Sequence, residues 1–188
     1  MADDASTALN PRLLIHRSTQ EIGGNCIELS YAGSRILLDA GAPLQGGPTA
    51  PLIPRSLDPA QKVDGLVISH PHQDHYGLLP SLPADWPVWM GRGTEELSRM
   101  TLAITGRSLP QVVKNYSNER PFTIGPFRIT PFLTDHSAFD AYMLLIEVGG
   151  KRILYSGDFR RTGRKSRLVG RMLRLLPHPV DVLLLEGT

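Results

Sequence analysis

The chain has 188 residues, of which 41% are hydrophobic and 20% charged, and its formal net charge is +2 at pH 7. These values are ordinary for a single globular domain, here residues 1–188, and they exclude a disordered chain and a general electrostatic attraction to nucleic acid. The single cysteine, Cys26, excludes an internal disulfide. The first residues lack the apolar segment of a signal peptide, and no apolar run reaches the roughly 20 residues of a membrane span, so we expect a cytoplasmic protein without membrane attachment.

Short apolar runs that end at glycine or polar residues predict β-strands in the first half of the chain. These runs are 12–16, 25–30, 35–40, 65–70 and 87–90. A Pro/Gly-rich loop is predicted at 42–54, and 74–82 can start a helix with Asp74 near its beginning.

A second helix is predicted over 93–105. Thr94 is its candidate N-cap, because a threonine hydroxyl can accept a hydrogen bond from the first free N–H groups. Leu97, Met100 and Ile104 recur at helical spacing and share one face.

The second half predicts three more strands, a basic helix and a final buried strand. The strands are 126–133, 142–148 and 152–157, the helix is 166–176, and the last strand is 180–187. Strands in a meander followed by mixed strands and helices favour α+β layers. We expect the chain to be the front part of a longer protein, because no element follows its last apolar strand.

The stretch "SHPHQDHYG" at 69–77 contains four residues that can bind a metal: His70, His72, Asp74 and His75. Imidazole nitrogens and carboxylate oxygens are ligands that zinc prefers. Four ligands this close cannot all reach one tetrahedral ion without strain. We therefore expect His70 and His72 to bind one ion. Asp74 and His75 would bind its neighbour. A polar turn with exposed histidines is the alternative.

Two later stretches supply similar groups, each directly after a predicted strand. "LTDHSAFD" at 133–140 contains His136, and "LYSGDFR" at 154–160 contains Asp158. Groups at strand ends can be gathered at one edge of a sheet, where His136 would complete the first set and Asp158 could bridge both ions. Taken alone, a structural histidine and a turn-forming aspartate are the alternatives.

In order along the chain, these motifs resemble the ligand motifs of the metallo-β-lactamase superfamily. The resemblance implies an αββα sandwich, an α+β fold, with two zinc ions along one edge. It also implies that Asp39 in "ILLDAG" orients the ligand loop. A turn-forming aspartate is the alternative for this position.

Further stretches resemble the RNA-processing branch that carries a β-CASP insertion, which includes ribonuclease J and the cleavage-and-polyadenylation endonuclease. They are "STQEIGGNCIELSYAGSRILLDAG", "MLLIEVGGKRILYSGDFRR" and "DVLLLEGT". The resemblance runs from about residue 17 to Thr188 and implies that Glu186 is a catalytic acid beside the second metal, where it could hold a ligand or relay a proton. An ordinary capping acid is the alternative for Glu186. Asp74 would orient the nucleophile as well as bind metal. The β-CASP domain and the final ligand histidine are absent, so the resemblance implies an N-terminal portion whose second zinc site lacks one ligand.

A basic segment follows Asp158, with seven basic residues from Arg160 to Arg174 and no acidic residue between Phe159 and Val180. Such a segment can contact phosphates without reading bases. The candidate contacts are Arg160, Arg161, Arg164, Lys165 and Arg167. A solvated helix face is the alternative.

Together these patterns predict a zinc-dependent hydrolase that cleaves RNA through a metal-activated hydroxide. The alternatives are a hydrolase acting on DNA or a small ester or thioester, and an inactive metal-binding scaffold subunit. RNA is the expected partner, and a homo-oligomer is possible.

Overall fold

A computed structural model describes residues 10–45 and 52–186. The first strands are β1 Arg12–Arg17, β2 Cys26–Tyr31, β3 Ser34–Leu38, β4 Gly65–Val67, β5 Val88–Gly91 and β6 Val113–Tyr116. The later strands are β7 Phe122–Ile124, β8 Phe127–Leu133, β9 Tyr142–Val148, β10 Lys151–Tyr155 and β11 Val182–Leu184. The helices are α1 Gln73–Tyr76, α2 Arg92–Ile104 and α3 Arg167–Leu175. Part of the predicted loop, 46–51, and Gly187 of the predicted last strand lie outside the described residues.

The strands form two sheets. The first has the order β1-β2-β3-β4-β5-β6, antiparallel up to β3 and parallel from there to β6. The second has the order β11-β10-β9-β8-β7, in which only β10 and β11 run parallel.

Alternating side chains place each central strand between two apolar layers. On β3, Leu37 packs with α1 and α2, whereas Ile36 and Leu38 pack between the sheets. On β9, Leu144 lies between the sheets and Leu145 packs with α3. The order helix, sheet, sheet, helix confirms the predicted α+β sandwich. No helix among the described residues combines the length and apolarity that crossing a bilayer requires.

The N-terminus of α2 differs from the prediction. The helix starts earlier, with Gly91 as its N-cap, so Thr94 is not the cap and is buried inside the first turn. Its N–H donates to Asp140 Oδ2 at 2.8 Å, and its hydroxyl donates to the Asp140 carbonyl at 2.8 Å. A carboxylate from a distant loop thus replaces the local cap, which no local sequence pattern could indicate.

The apolar face of α2 points away from the core. Met100 and Ile104 are 61% and 81% exposed, whereas Thr94, Ser98 and Leu102 are buried. The helix was predicted correctly, but the face that packs on the sheet is the one with the small polar side chains, which allow a close approach. The face with the apolar spacing is therefore exposed.

The last strand is also different from its prediction. β11 was expected to be buried over 180–187, but it is short and Leu183 is 56% exposed. It is an edge strand that pairs only with β10 among the described residues. Two strands, β6 and β7, were not predicted, because four and three residues are too few to establish a period. The predicted helix over 74–82 is reduced to α1 and a 3₁₀ turn at Leu79–Ser81.

The topology brings several turns to one edge of the sandwich. Asp39 follows β3 and His70 follows β4 in the first sheet, while His136 and Asp158 follow β8 and β10 in the second. The Tyr142 N–H donates to the Ser69 carbonyl at 3.0 Å and joins the sheets at this edge.

The segment 40–42 holds α1 in place through backbone hydrogen bonds. The Ala40 N–H donates to the His75 carbonyl at 2.8 Å, and the Ala42 N–H donates to the Gln73 carbonyl at 2.9 Å. A Cβ atom on Gly41 would lie 1.7 Å from the Asp74 carbonyl oxygen, so only glycine permits this approach.

We therefore expect Gly41→Ala to lower the free energy of unfolding by about 1–3 kcal/mol, because the backbone of α1 must move. Urea unfolding of the metal-free chain measures this. The control is Gly170→Ala in α3, where, apart from the backbone of the helix itself, the new Cβ would meet Arg174 Nη1 at 3.7 Å. At this position alanine should raise the free energy of unfolding by up to about 1 kcal/mol, because alanine favours the helix more than glycine does. Equal effects of the two substitutions would contradict the close approach at Gly41.

Candidate metal centre

Four side chains converge at the edge where the two sheets meet. They are His70, His72, His136 and Asp158, whose ligand atoms lie within 4.8 Å of one another. His72 Nδ1 is 3.0 Å from His70 Nε2 and 3.1 Å from His136 Nε2. Three imidazole nitrogens pointing at one space offer lone pairs to a shared cation.

Asp158 faces two groups of ligands with its two oxygens. Oδ2 lies 3.5 Å from His136 Nε2 and 3.9 Å from His70 Nε2. Oδ1 lies 3.3 Å from His75 Nε2, which is itself 3.7 Å from Asp74 Oδ2. The structure therefore brings all six predicted ligands together and divides them into two adjoining sets that share one carboxylate.

The donor set fits divalent cations. Asp158 Oδ1 is buried and accepts no well-formed hydrogen bond from the described residues. A buried carboxylate oxygen without a donor is costly unless a cation or water satisfies it. His70, His72 and His136 would hold one ion, and Asp74, His75 and Asp158 would hold the second.

Hydrogen bonds to Asp39 determine which histidine nitrogens are free to bind a metal. The Ser69 hydroxyl donates its only proton to Asp39 Oδ2 at 2.8 Å, so at 3.0 Å it must accept from His70 Nδ1. His75 Nδ1 likewise donates to Asp39 Oδ2 at 2.7 Å. In the neutral form that binds metal, these hydrogen bonds leave Nε2 of both histidines without a proton and directed at the ligand cluster.

Asp39 is fully buried and accepts four hydrogen bonds. Besides the two already described, the Ser69 N–H donates at 2.6 Å and the Tyr155 hydroxyl at 2.5 Å. Its backbone adopts φ +57°, a left-handed conformation that turns the chain sharply after β3. Asp39 thus connects the His70 turn, α1 and the second sheet.

The site shifts the protonation of its histidines in opposite directions. Burial lowers the pKa of His70 far below its usual value, and the neighbouring histidines lower it further, so His70 stays neutral. Burial also opposes the charge on His75, but the negative charges of Asp39 and Asp158 raise its pKa to about 10. In the metal-free site at neutral pH His75 is therefore protonated on both ring nitrogens, and a metal binding at Nε2 would displace the Nε2 proton.

Glu186, the predicted catalytic acid, lies outside the group of converging ligands. One of its carboxylate oxygens accepts a hydrogen bond from Asn25 Nδ2 at 3.1 Å, and the same amide nitrogen is 3.3 Å from the Tyr155 hydroxyl. Glu186 is thereby connected to Asp39 through Asn25 and Tyr155. Its catalytic role stays a prediction.

The predicted basic residues have different surroundings. Arg160 Nε lies 3.4 Å from Asp135 Oδ1, and Lys165 Nζ donates to the Phe139 carbonyl at 2.7 Å. Arg161, Arg164 and Arg167 are exposed and form no ion pair within the described part of the chain.

Sequence reasoning missed Ser69, Asn25 and Tyr155, which position the ligands. Ser69 directly precedes His70, and Tyr155 ends the strand before Asp158. Proximity to the motifs was therefore the available signal for both. Asn25 carried no such signal, because it contacts residues 130 and 161 positions away.

Residues 34–188 match the family model described as a β-lactamase superfamily domain. The chain belongs to the β-lactamase superfamily. Among its relatives in the superfamily, cleavage and polyadenylation specificity factor 73 of Drosophila melanogaster is 29% identical over 100% of this chain and 30% of its own length. Ribonuclease J of Corynebacterium glutamicum is 29% identical over 89% of this chain and 25% of its own length. These relatives confirm the resemblance indicated by the motifs, and the chain spans less than a third of either.

A solved protein of unknown function from Enterococcus faecalis V583 shares the superfamily fold. It superposes with a TM-score of 0.83 at 21% identity, over 96% of this chain and 50% of its own. At this identity the match concerns the fold alone.

We expect Asp39→Asn to weaken zinc binding about 10- to 100-fold, the usual effect of changing an outer partner of a metal ligand. An amide cannot accept all four hydrogen bonds, so the tautomers of His70 and His75 are no longer fixed. Competition with a chromogenic chelator measures the affinity. Asp85→Asn, at an exposed position, is the matched control and should bind like the parent. Unchanged affinity in a folded Asp39→Asn protein would contradict the role of Asp39.

Proposed function

We propose that this chain forms the metal-binding part of a zinc-dependent phosphodiesterase that cleaves RNA. The observation that carries the proposal is Asp158, whose two oxygens each face a separate set of ligands. This is the arrangement that a pair of divalent ions needs. The names of the relatives, a ribonuclease and a polyadenylation factor, favour RNA among phosphodiester substrates.

When bound, a pair of zinc ions supplies a hydroxide at neutral pH and offsets negative charge on phosphoryl oxygens. The residues of the chain orient the candidate ligands and set which of their nitrogens carry protons. The Nε2 atom of neutral His70 has no proton, because the proton is on Nδ1, which donates a hydrogen bond to the Ser69 hydroxyl. Asp39 fixes His75 in the same way. Asp74 Oδ2 lies 3.7 Å from His75 Nε2, which supports a role in orienting the attacking group as well as in binding metal.

Substrate approach is favoured by the exposed basic residues after Asp158. Arg161, Arg164 and Arg167 are free of ion pairs among the described residues and can contact phosphates. Phosphate contacts do not distinguish RNA from DNA. The cytoplasmic location and a homo-oligomer stay predictions.

Purified chain loaded with zinc should hydrolyse labelled single-stranded RNA faster than matched DNA or a small ester. Asp158→Asn should reduce the rate more than the roughly 10- to 100-fold typical of outer partners, because it removes a ligand from both sets. Gel analysis of cleavage products measures the rate. The exposed control Asp85→Asn should cleave like the parent.

Other outcomes separate the alternatives. Zinc binding without turnover of RNA, DNA or ester would indicate the inactive scaffold. Turnover of the ester or of DNA alone would contradict RNA as the substrate and leave the hydrolytic site intact.

A further inference from the structure

Phe139 is the most exposed aromatic side chain near the metal ligands. It is 77% exposed and lies three residues after His136, in the loop between β8 and β9. Its neighbours Ala138 and Asp140 are each 7% exposed. The loop thus buries the residues on both sides and directs the phenyl ring into solvent.

The loop is held firmly, so this exposure is a property of the fold. The Thr134 N–H donates to the Ala141 carbonyl at 2.9 Å and closes the loop. Asp140 accepts one hydrogen bond at its carboxylate and one at its carbonyl, both from Thr94 of α2 at 2.8 Å. A Cβ on Gly91 would lie 2.1 Å from Asp140 Oδ2, which shows how closely the loop packs.

The backbone of Phe139 lies close to the candidate ligand His136. Phe139 follows His136 by three positions, so their Cα atoms are at most about 11 Å apart. A substrate whose phosphate reaches His136 therefore passes near Phe139 with its adjacent nucleotides.

Positive charge lies along the same loop. The Lys165 ammonium donates to the Phe139 carbonyl at 2.7 Å, and the Arg160 N–H donates to the Asp135 carbonyl at 2.7 Å. These contacts fix the basic segment against the loop, with Arg161 and Arg164 exposed beside it. An exposed ring next to cations is the combination that binds single-stranded nucleic acid, because the ring stacks on a base while the cations contact phosphates.

We propose that Phe139 is a stacking platform for a nucleobase of single-stranded RNA, adjacent to the phosphate that enters the metal centre. This inference rests on the proposed function. Arg161 and Arg164 contact the phosphates on either side of the stacked base. Stacking tolerates every base, so the platform selects unpaired strands and not a sequence.

The test measures RNA binding by metal-free chain, so that cleavage does not interfere. Fluorescence anisotropy compares a short oligoadenylate with the same strand carrying abasic residues. Phe139→Ala should weaken oligoadenylate binding between about 5-fold and 100-fold, the range expected for loss of one stacked base. Its binding to the abasic strand should equal that of the parent. Phe139→Trp should keep full affinity, with tryptophan fluorescence quenched by adenine.

The matched control is Ile104→Ala, which removes another exposed apolar side chain, 81% exposed at the end of α2. It should leave both affinities unchanged. Equal loss on both strands, no loss in Phe139→Ala, or no RNA binding by the parent would overturn the platform. If Phe139 stacks on the base as expected but zinc-loaded chain does not cleave RNA, the proposed function is overturned. If zinc-loaded chain cleaves RNA and Phe139→Ala binds and cleaves it like the parent, only the stacking platform is overturned.

Discussion

One buried carboxylate, that of Asp39, organises the edge on which the candidate centre is built. It accepts from Ser69 and His75 of the first sheet's loops and from Tyr155 of the second sheet. An ionised group with no solvent contact is stable only when its acceptor positions are filled. The same bonds that satisfy Asp39 therefore orient two candidate metal ligands and connect the first sheet to Tyr155 of the second.

Much of the centre could be predicted from the sequence, because its ligands follow strands directly. Apolar runs before His70, His136 and Asp158 identified those strands, and strand ends gather at sheet edges. The αββα layers were implied by the resemblance to the metallo-β-lactamase superfamily, and the structure forms them with strands such as β9, whose alternate side chains enter different apolar layers.

The parts that could not be predicted depend on contacts between distant residues. The N-terminus of α2 is satisfied by Asp140, so Thr94 did not need to be a cap. The spacing of Leu97, Met100 and Ile104 correctly predicted a helix, but their face is exposed. The opposite face is buried instead, because the small side chains of Thr94 and Ser98 pack closely against the sheet. Asn25 joins Glu186 to Tyr155 across more than a hundred residues, a link that only the folded chain displays.

The two sets of ligands are contributed by both sheets, and this has a consequence for the lifetime of the protein. An ion bound by His70 and His136 would join the two sheets, since separating the sheets would release it. Ligands that bind only the native state stabilise it in proportion to the logarithm of their concentration. The cell's supply of metal would then govern how often this edge opens to proteases, so a scarcity of metal would limit the amount of the protein.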